Sequence, residues 1–137
     1  MKNVIMILIV VAALGGAAYV MQGKLGMGEE AMSERISELQ LDARGLRAGG
    51  NFDQAIPLME EAVELSRKVD GDEPTNRTCS TMLRLSADYV EAGRYSNAIV
   101  LLEELIPLWE RVAGPENSDL FRARRLLDEA KKGASGG

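Results

Sequence analysis

Three pairs of adjacent carboxylates, Glu29-Glu30, Glu60-Glu61 and Glu103-Glu104, are the residues of this chain closest to an acid–base constellation. Two carboxyls that face one another can divide into a proton donor and a proton acceptor. Adjacent residues on a helix point about 100° apart, so these neighbours do not converge on one reacting atom. The sequence has no histidine and a single cysteine, Cys79. An imidazole base, a Cys/His nucleophile pair, a zinc site and a disulfide within the chain are therefore excluded by residue type. Cys79 reads as a small packing residue, not a reactive thiol. No glycine cluster has the spacing of a phosphate-binding or dinucleotide-binding loop. Asn76-Arg77-Thr78 fits a glycosylation acceptor, a three-residue pattern that chance supplies often. No catalytic residue, cofactor or metal ligand is expected, and the chain reads as a binding protein, not an enzyme.

Charge narrows the partners. The 137-residue chain carries −5 overall, and beyond residue 24 it has 14 Lys and Arg against 21 Asp and Glu, or −7. Such a surface repels the phosphates of DNA or RNA, so nucleic acid is not an expected partner.

The elements that position these residues recur. Laid over itself at an offset of 43 residues, Gly50 to Glu73 matches Gly93 to Glu116 at 10 of 24 positions, among them Gly50/Gly93, Ala55/Ala98, Leu58/Leu101 and Gly71/Gly114. Phe52 against Tyr95 keeps an aromatic in register. A period of this size points to stacked supersecondary units. Each unit reads as two helices. Met32, Ile36, Leu39, Ala43 and Leu46 fall three or four apart, and Gly49-Gly50 ends that stretch, with Asn51 as the expected N-cap of the next. Ala55, Leu58, Met59, Ala62, Val63 and Leu65 continue the helical period to Gly71. Met82, Leu85, Tyr89 and Val90, then Ala98, Leu101, Leu102, Leu105, Ile106 and Leu108, repeat the cycle. A helix from Glu29 to Ala48 is expected to cap one end of the array, and a closing helix over Arg122 to Lys132 the other. Pro57 lies near the start of its helix and Pro107 well inside its own, where a kink without a break is expected. Neither strand alternation nor hairpin turns occur, so the fold class is all-α.

Ahead of the repeats, Val4 to Met21 holds no charged side chain and is flanked by Lys2 and Lys24. Eighteen helical residues span about 27 Å, close to the hydrocarbon thickness of a bilayer. The run reads as a retained membrane anchor that leaves the N-terminus on the cytoplasmic side and the repeats on the far side, periplasmic in a bacterium. A cleaved signal peptide, with Val4 to Leu14 as its core and Gly-Gly-Ala-Ala before Tyr19, is the alternative. Ala12/Gly16 and Ala13/Ala17 are spaced for close approach of two such helices, a route to self-association. The expected organisation is 1–24 anchor, 25–31 linker, 32–132 repeat domain and 133–137 flexible tail.

The motif Gly, aromatic two residues on and alanine three further, present as Gly50, Phe52, Ala55 and again as Gly93, Tyr95, Ala98, resembles tetratricopeptide repeats. The length of the unit and the stretch Arg111 to Asp119 are similar to the longer variety found in kinesin light chains. The resemblance covers roughly Ile36 to Lys132 and implies an α-α superhelix of two helical hairpins plus a closing helix. It implies that the first helix of each hairpin lines a concave face where proteins dock. Inner positions are then Ser37, Gln40, Arg44 and Arg47, with Ser80, Leu83, Ala87, Val90 and Glu91, and Ala123 and Leu126 from the last helix. The family's lysine and asparagine clamp for terminal carboxylates has no matching residues here. Arg44 and Arg47 read as ordinary solvated arginines or, alternatively, as cations that attract an acidic segment. Leu83, Val90 and Leu126 form an apolar strip for a partner or are covered by the chain's own terminal helix. Arg122, Arg124, Arg125, Lys131 and Lys132 read as charges favourable at a helix C-terminus. The function expected is that of a membrane-anchored adaptor or scaffold for protein–protein interaction. The alternatives are an accessory subunit held in a membrane complex by its first helix, and an exported soluble protein freed by signal cleavage.

Overall fold

The computed structural model describes residues 27–136. The run Val4 to Met21, with the anchor, signal-peptide and self-association readings placed on it, lies outside the described residues. Among those described, no helix is long and apolar enough to cross a membrane. Five helices follow in order: α1 (Glu29–Ala48), α2 (Phe52–Asp70), α3 (Asn76–Glu91), α4 (Tyr95–Ala113) and α5 (Ser118–Ala134). No strand occurs among the described residues, and Ser33–Gly137 forms one compact unit.

The copying visible in the sequence extends to hydrogen bonds. Gly50 and Gly93 take positive φ values of 76° and 74°, a region that costs a side chain strain and glycine none. At the end of α1, the amide of Asn51 donates to the carbonyl of Leu46 and that of Gly50 to Arg47. At the end of α3, Arg94 donates to Tyr89 and Gly93 to Val90. Both are the paired bonds of a Schellman ending, which satisfies carbonyls a helix terminus otherwise leaves open. The chain then turns directly into α2 or α4, each 19 residues long and each opening on its aromatic. Asn51 occupies the N-cap position of α2, yet its side chain makes no cap hydrogen bond. The Schellman bond already commits its backbone.

Two expected boundaries are corrected. Residues 29–31, counted in the 25–31 linker, belong instead to the expected Glu29–Ala48 helix as the first turn of α1, where Glu29 and Glu30 complement the positive end of the helix dipole. The closing helix begins at Ser118, four residues before Arg122, because the Oδ1 of Asn117 accepts a 2.8 Å hydrogen bond from the Asp119 amide. It also runs past Lys132 through Gly133 and Ala134, both assigned to the tail. Gly133 belongs to the helix because the Tyr95 ring lies against its backbone; a Cβ there would meet Tyr95 at 2.4 Å.

Packing follows the small residues. Ala43, Ala55, Ala98 and Ser86 are fully buried, and Ser86 discharges its hydroxyl onto the Met82 carbonyl. Around them Ile56, Met59, Met82, Leu102, Leu105, Trp109 and Leu120 make the main core. Ile36, Leu39 and Ala62 form a separate, smaller cluster between α1 and α2. α4 continues through Pro107 to Ala113, held across the missing backbone bond by the burial of Leu105 and Trp109 on either side. The Trp109 Nε1 donates to Asn76 Oδ1 at 3.1 Å, which ties α4 to the start of α3.

Candidate functional site

α1, α3 and α5 border a concave cavity of about 620 Å³. α1 supplies Gln40, Arg44 and Arg47, spaced four and three apart on one helical face. α3 supplies Ser80, Leu83, Arg84 and Ala87, again one stripe. α5 supplies Asp119, Arg122, Arg125, Leu126 and Glu129, and the buried Met59 of α2 reaches the floor.

Seven residues named from the sequence come together in this cavity: Gln40, Arg44, Arg47, Ser80, Leu83, Ala87 and Leu126. Val90 does not; it packs against the main core. At about 100° per residue it lies some 60° back from Ala87, on the side of the buried Ser86, so the groove stripe has rotated past it. Ala123 is likewise fully buried, and Ser37 and Glu91 are exposed away from the cavity. The apolar strip of Leu83, Val90 and Leu126 therefore does not exist as an open surface: Leu83 is buried, and the other two pack on the core.

The polar side chains divide into committed and uncommitted ones. Arg47 grips Asp88 with both arms of its fork, Nε to Oδ1 at 2.5 Å and Nη2 to Oδ2 at 2.8 Å. The Asp88 side chain is 1% exposed and that of Arg47 27%. A carboxylate buried this far requires a charged, hydrogen-bonded partner. The hydrogen bond to Asp88 in turn raises the Arg47 pKa, against the lowering effect of burial. Gln40 is committed too, its Nε2 donating to Thr81 Oγ1 at 3.0 Å. The expected role of Arg47 as a free cation for an acidic segment is thus corrected: it and Gln40 join α1 to α3. Arg44, Arg84 and Arg125 are exposed and, among the described residues, pair with no carboxylate. Arg122 meets Asp119 at 3.5 Å, one turn away on its own helix.

Arg84, Arg122 and Arg125 were not foreseen as groove residues. Arg84 was legible as the i+4 neighbour of Ser80. The sequence reads Arg122 and Arg125 as charges at the end of the last helix, but with α5 starting at Ser118 they stand in its first half. Only Lys131 and Lys132 occupy the last turn, where cations complement the dipole. Arg124 leaves the groove and pairs with Glu110 of α4.

Several of the residues considered for chemistry are used structurally. Glu60 accepts the Tyr89 hydroxyl at 2.8 Å, whereas Glu61 pairs with Arg35 of α1 at 3.1 Å. The two carboxylates diverge to different helices. Glu104 pairs with Arg67 of α2 at 2.9 Å. Burial, and secondarily the charge of Asp70, pushes the Cys79 thiol up to about 11, away from reactivity. The Asn76 carboxamide accepts the Trp109 Nε1 hydrogen bond through its Oδ1.

A family model for the Tetratricopeptide repeat matches residues 43–111, half of the chain. No curated protein and no solved structure matches it.

Proposed function

The chain belongs to the tetratricopeptide repeat family, and from that premise we propose that it is a protein-interaction adaptor which receives a partner segment in the groove between α1, α3 and α5. The observation that carries this reading is the groove itself. Three helices of successive units present their polar stripes to one concavity, in a family whose domains bind proteins. Arg44, Arg84 and Arg125 are exposed there, while Arg47 and Gln40 fix the wall of α1 to α3. The 43-residue unit supports the longer repeat variety within the family. The uncharged run Val4 to Met21 supports a membrane tether, which would raise the local concentration of partners on that surface so that modest affinities suffice.

A photo-crosslinking side chain placed at Ala87, within the groove, tests the reading in detergent-solubilised membranes. Adducts are expected from Ala87 and not from the same group at Val100, which is 70% exposed on α4 outside the groove. Equal adducts from both positions would count against the groove. Scrambling Val4 to Met21 at constant hydrophobicity separates this from the accessory-subunit reading, because loss of the partner then places recognition in the first helix. The N-terminal mass of the mature protein decides between anchor and exported form.

A further inference from the structure

We propose that the groove's ligand is an acidic peptide segment carrying several separated side-chain carboxylates, received by Arg44, Arg84, Arg122 and Arg125. This rests on the reading of the groove as a protein-docking site and specifies what docks there. Beyond residue 24 the chain carries −7, yet the cavity is lined by five arginines against two carboxylates, Asp119 and Glu129. Five of the eleven arginines are neutralised by a distant partner: Arg35, Arg47, Arg67, Arg94 and Arg124 each meet a carboxylate outside their own helix. The described residues hold five arginines in no ion pair, Arg44, Arg77, Arg84, Arg111 and Arg125, and three of the five face this one cavity. Gathering like charges without counter-charge works against folding, so a partner that supplies the missing anions gains from every fork it fills.

The chemistry of the anion follows from the arrangement. The lining cations are all arginine, whose planar fork matches a carboxylate with two parallel bonds. They stand on three separate helices, so one chain terminus would fill one fork and leave the rest unmet. Several single charges spread along a segment fill them all. Asp119 and Glu129 on α5 penalise a dianionic phosphate more than a monoanionic carboxylate, and the net negative surface repels a nucleic-acid strand. Arg47 is outside this set, since Asp88 already occupies its fork.

Fluorescence anisotropy on the full chain in detergent micelles tests the proposal with labelled, C-terminally amidated peptides alternating Glu and Ser. The Glu peptide is expected to saturate, and its Gln counterpart to bind at least about tenfold more weakly. The double variant R44Q/R84Q should weaken the Glu peptide about tenfold with an unchanged melting temperature, because both side chains are exposed. Raising salt from about 50 mM to about 500 mM should weaken it similarly, as the Debye length shortens. Equal affinity for the Glu and Gln peptides, tighter binding of a phosphoserine peptide of equal charge, or a dependence on a free C-terminal carboxylate would each overturn the acidic-segment assignment. If Ala87 still crosslinks a partner in those cases, the docking groove stands while its ligand class falls. If neither holds, both fall.

Discussion

α1 and α3 are copies by sequence pattern and differ sharply in how they are held. α1 buries Ile36, Leu39 and Ala43 out of 20 residues, whereas α3 buries nine of its 16. α3 lies between α2, α4 and α5, so nearly every face meets a neighbour. α1 ends the described array and rests its apolar side on α2 through the small Ile36, Leu39 and Ala62 cluster. Apart from Ala43, which joins the main core, its ties to α3 are polar: the Arg47–Asp88 fork and the Gln40–Thr81 bond. A repeat at the end of a stack lacks one interface that a middle repeat enjoys, and here directed bonds hold what burial holds elsewhere. The same bonds set the wall of the groove, so the weaker helix is also the one that must be fixed in place.

The sharpest way to break this comparison is one substitution made twice. Leu102 and Leu39 are both fully buried, so Leu→Ala removes the same atoms from each. Leu102→Ala opens a hole in the main core and is expected to cost about 4–5 kcal/mol in urea denaturation. Leu39→Ala, at the edge where α1 can settle inward, is expected to cost about 2–3 kcal/mol. Equal costs would mean that the two helices are packed alike, and the contrast drawn here would be void.

Next in size is the fork that joins them. Arg47→Met leaves the Asp88 carboxylate buried without a partner and is expected to cost about 3 kcal/mol, the low end for breaking a buried pair, because Arg47 retains some contact with water. The double variant R47M/D88L removes both charges and should recover most of that loss. Hydrogen exchange locates the effect: amides of α1 should lose protection in R47M while those of α4 keep theirs. Uniform loss across α1 and α4 would show that α1 does not open on its own.

The sequence shows the copied parts of this molecule and hides the parts that are not copied. Gly50 and Gly93, the aromatics after them and Ala55 and Ala98 recur because the same turn and the same close crossing must be built twice. Repetition made them legible. Asp88 has Gly45 as its counterpart one repeat back, and Arg47 has Val90 one repeat on. A contact made once leaves no echo, and a buried aspartate reads as an ordinary polar residue until its partner is placed beside it. A four-residue difference in where a helix begins has a similar effect. Until the Asn117 cap is placed, Arg122 and Arg125 read as charges at the far end of α5, which leaves half of the cationic groove out of sight. Val90 was misplaced because the stripe on α3 rotates slowly relative to the groove, a drift that only the packed helix reveals.

The smallest effect separates the two helices by pH. Burial pushes the Cys79 thiol from its ordinary 9.0 up to about 11. Burial, reinforced by the hydrogen bond to the Glu60 carboxylate, pushes the Tyr89 phenol from 10.0 up to about 12. Both groups belong to α3. A raised folded-state pKa means the native protein holds the proton more tightly than the unfolded chain does. The associated stability is complete below the unfolded values and is surrendered as pH climbs toward the folded ones. The loss should therefore begin near pH 9.0 with Cys79 and extend to about 12 with Tyr89. The Arg47–Asp88 fork on the α1 side stays charged across this window, because the Arg47 pKa is raised rather than lowered. Urea midpoints measured from neutral pH upward should fall through that range. Cys79→Ala should start from a lower midpoint, having lost a small core side chain, but show a flatter slope between 9.0 and about 11. An unchanged slope in that variant would mean the middle helix carries no titrating thiol cost. A thiol reagent that labels native Cys79 at neutral pH would show that α3 is not the closed element that separates it from α1.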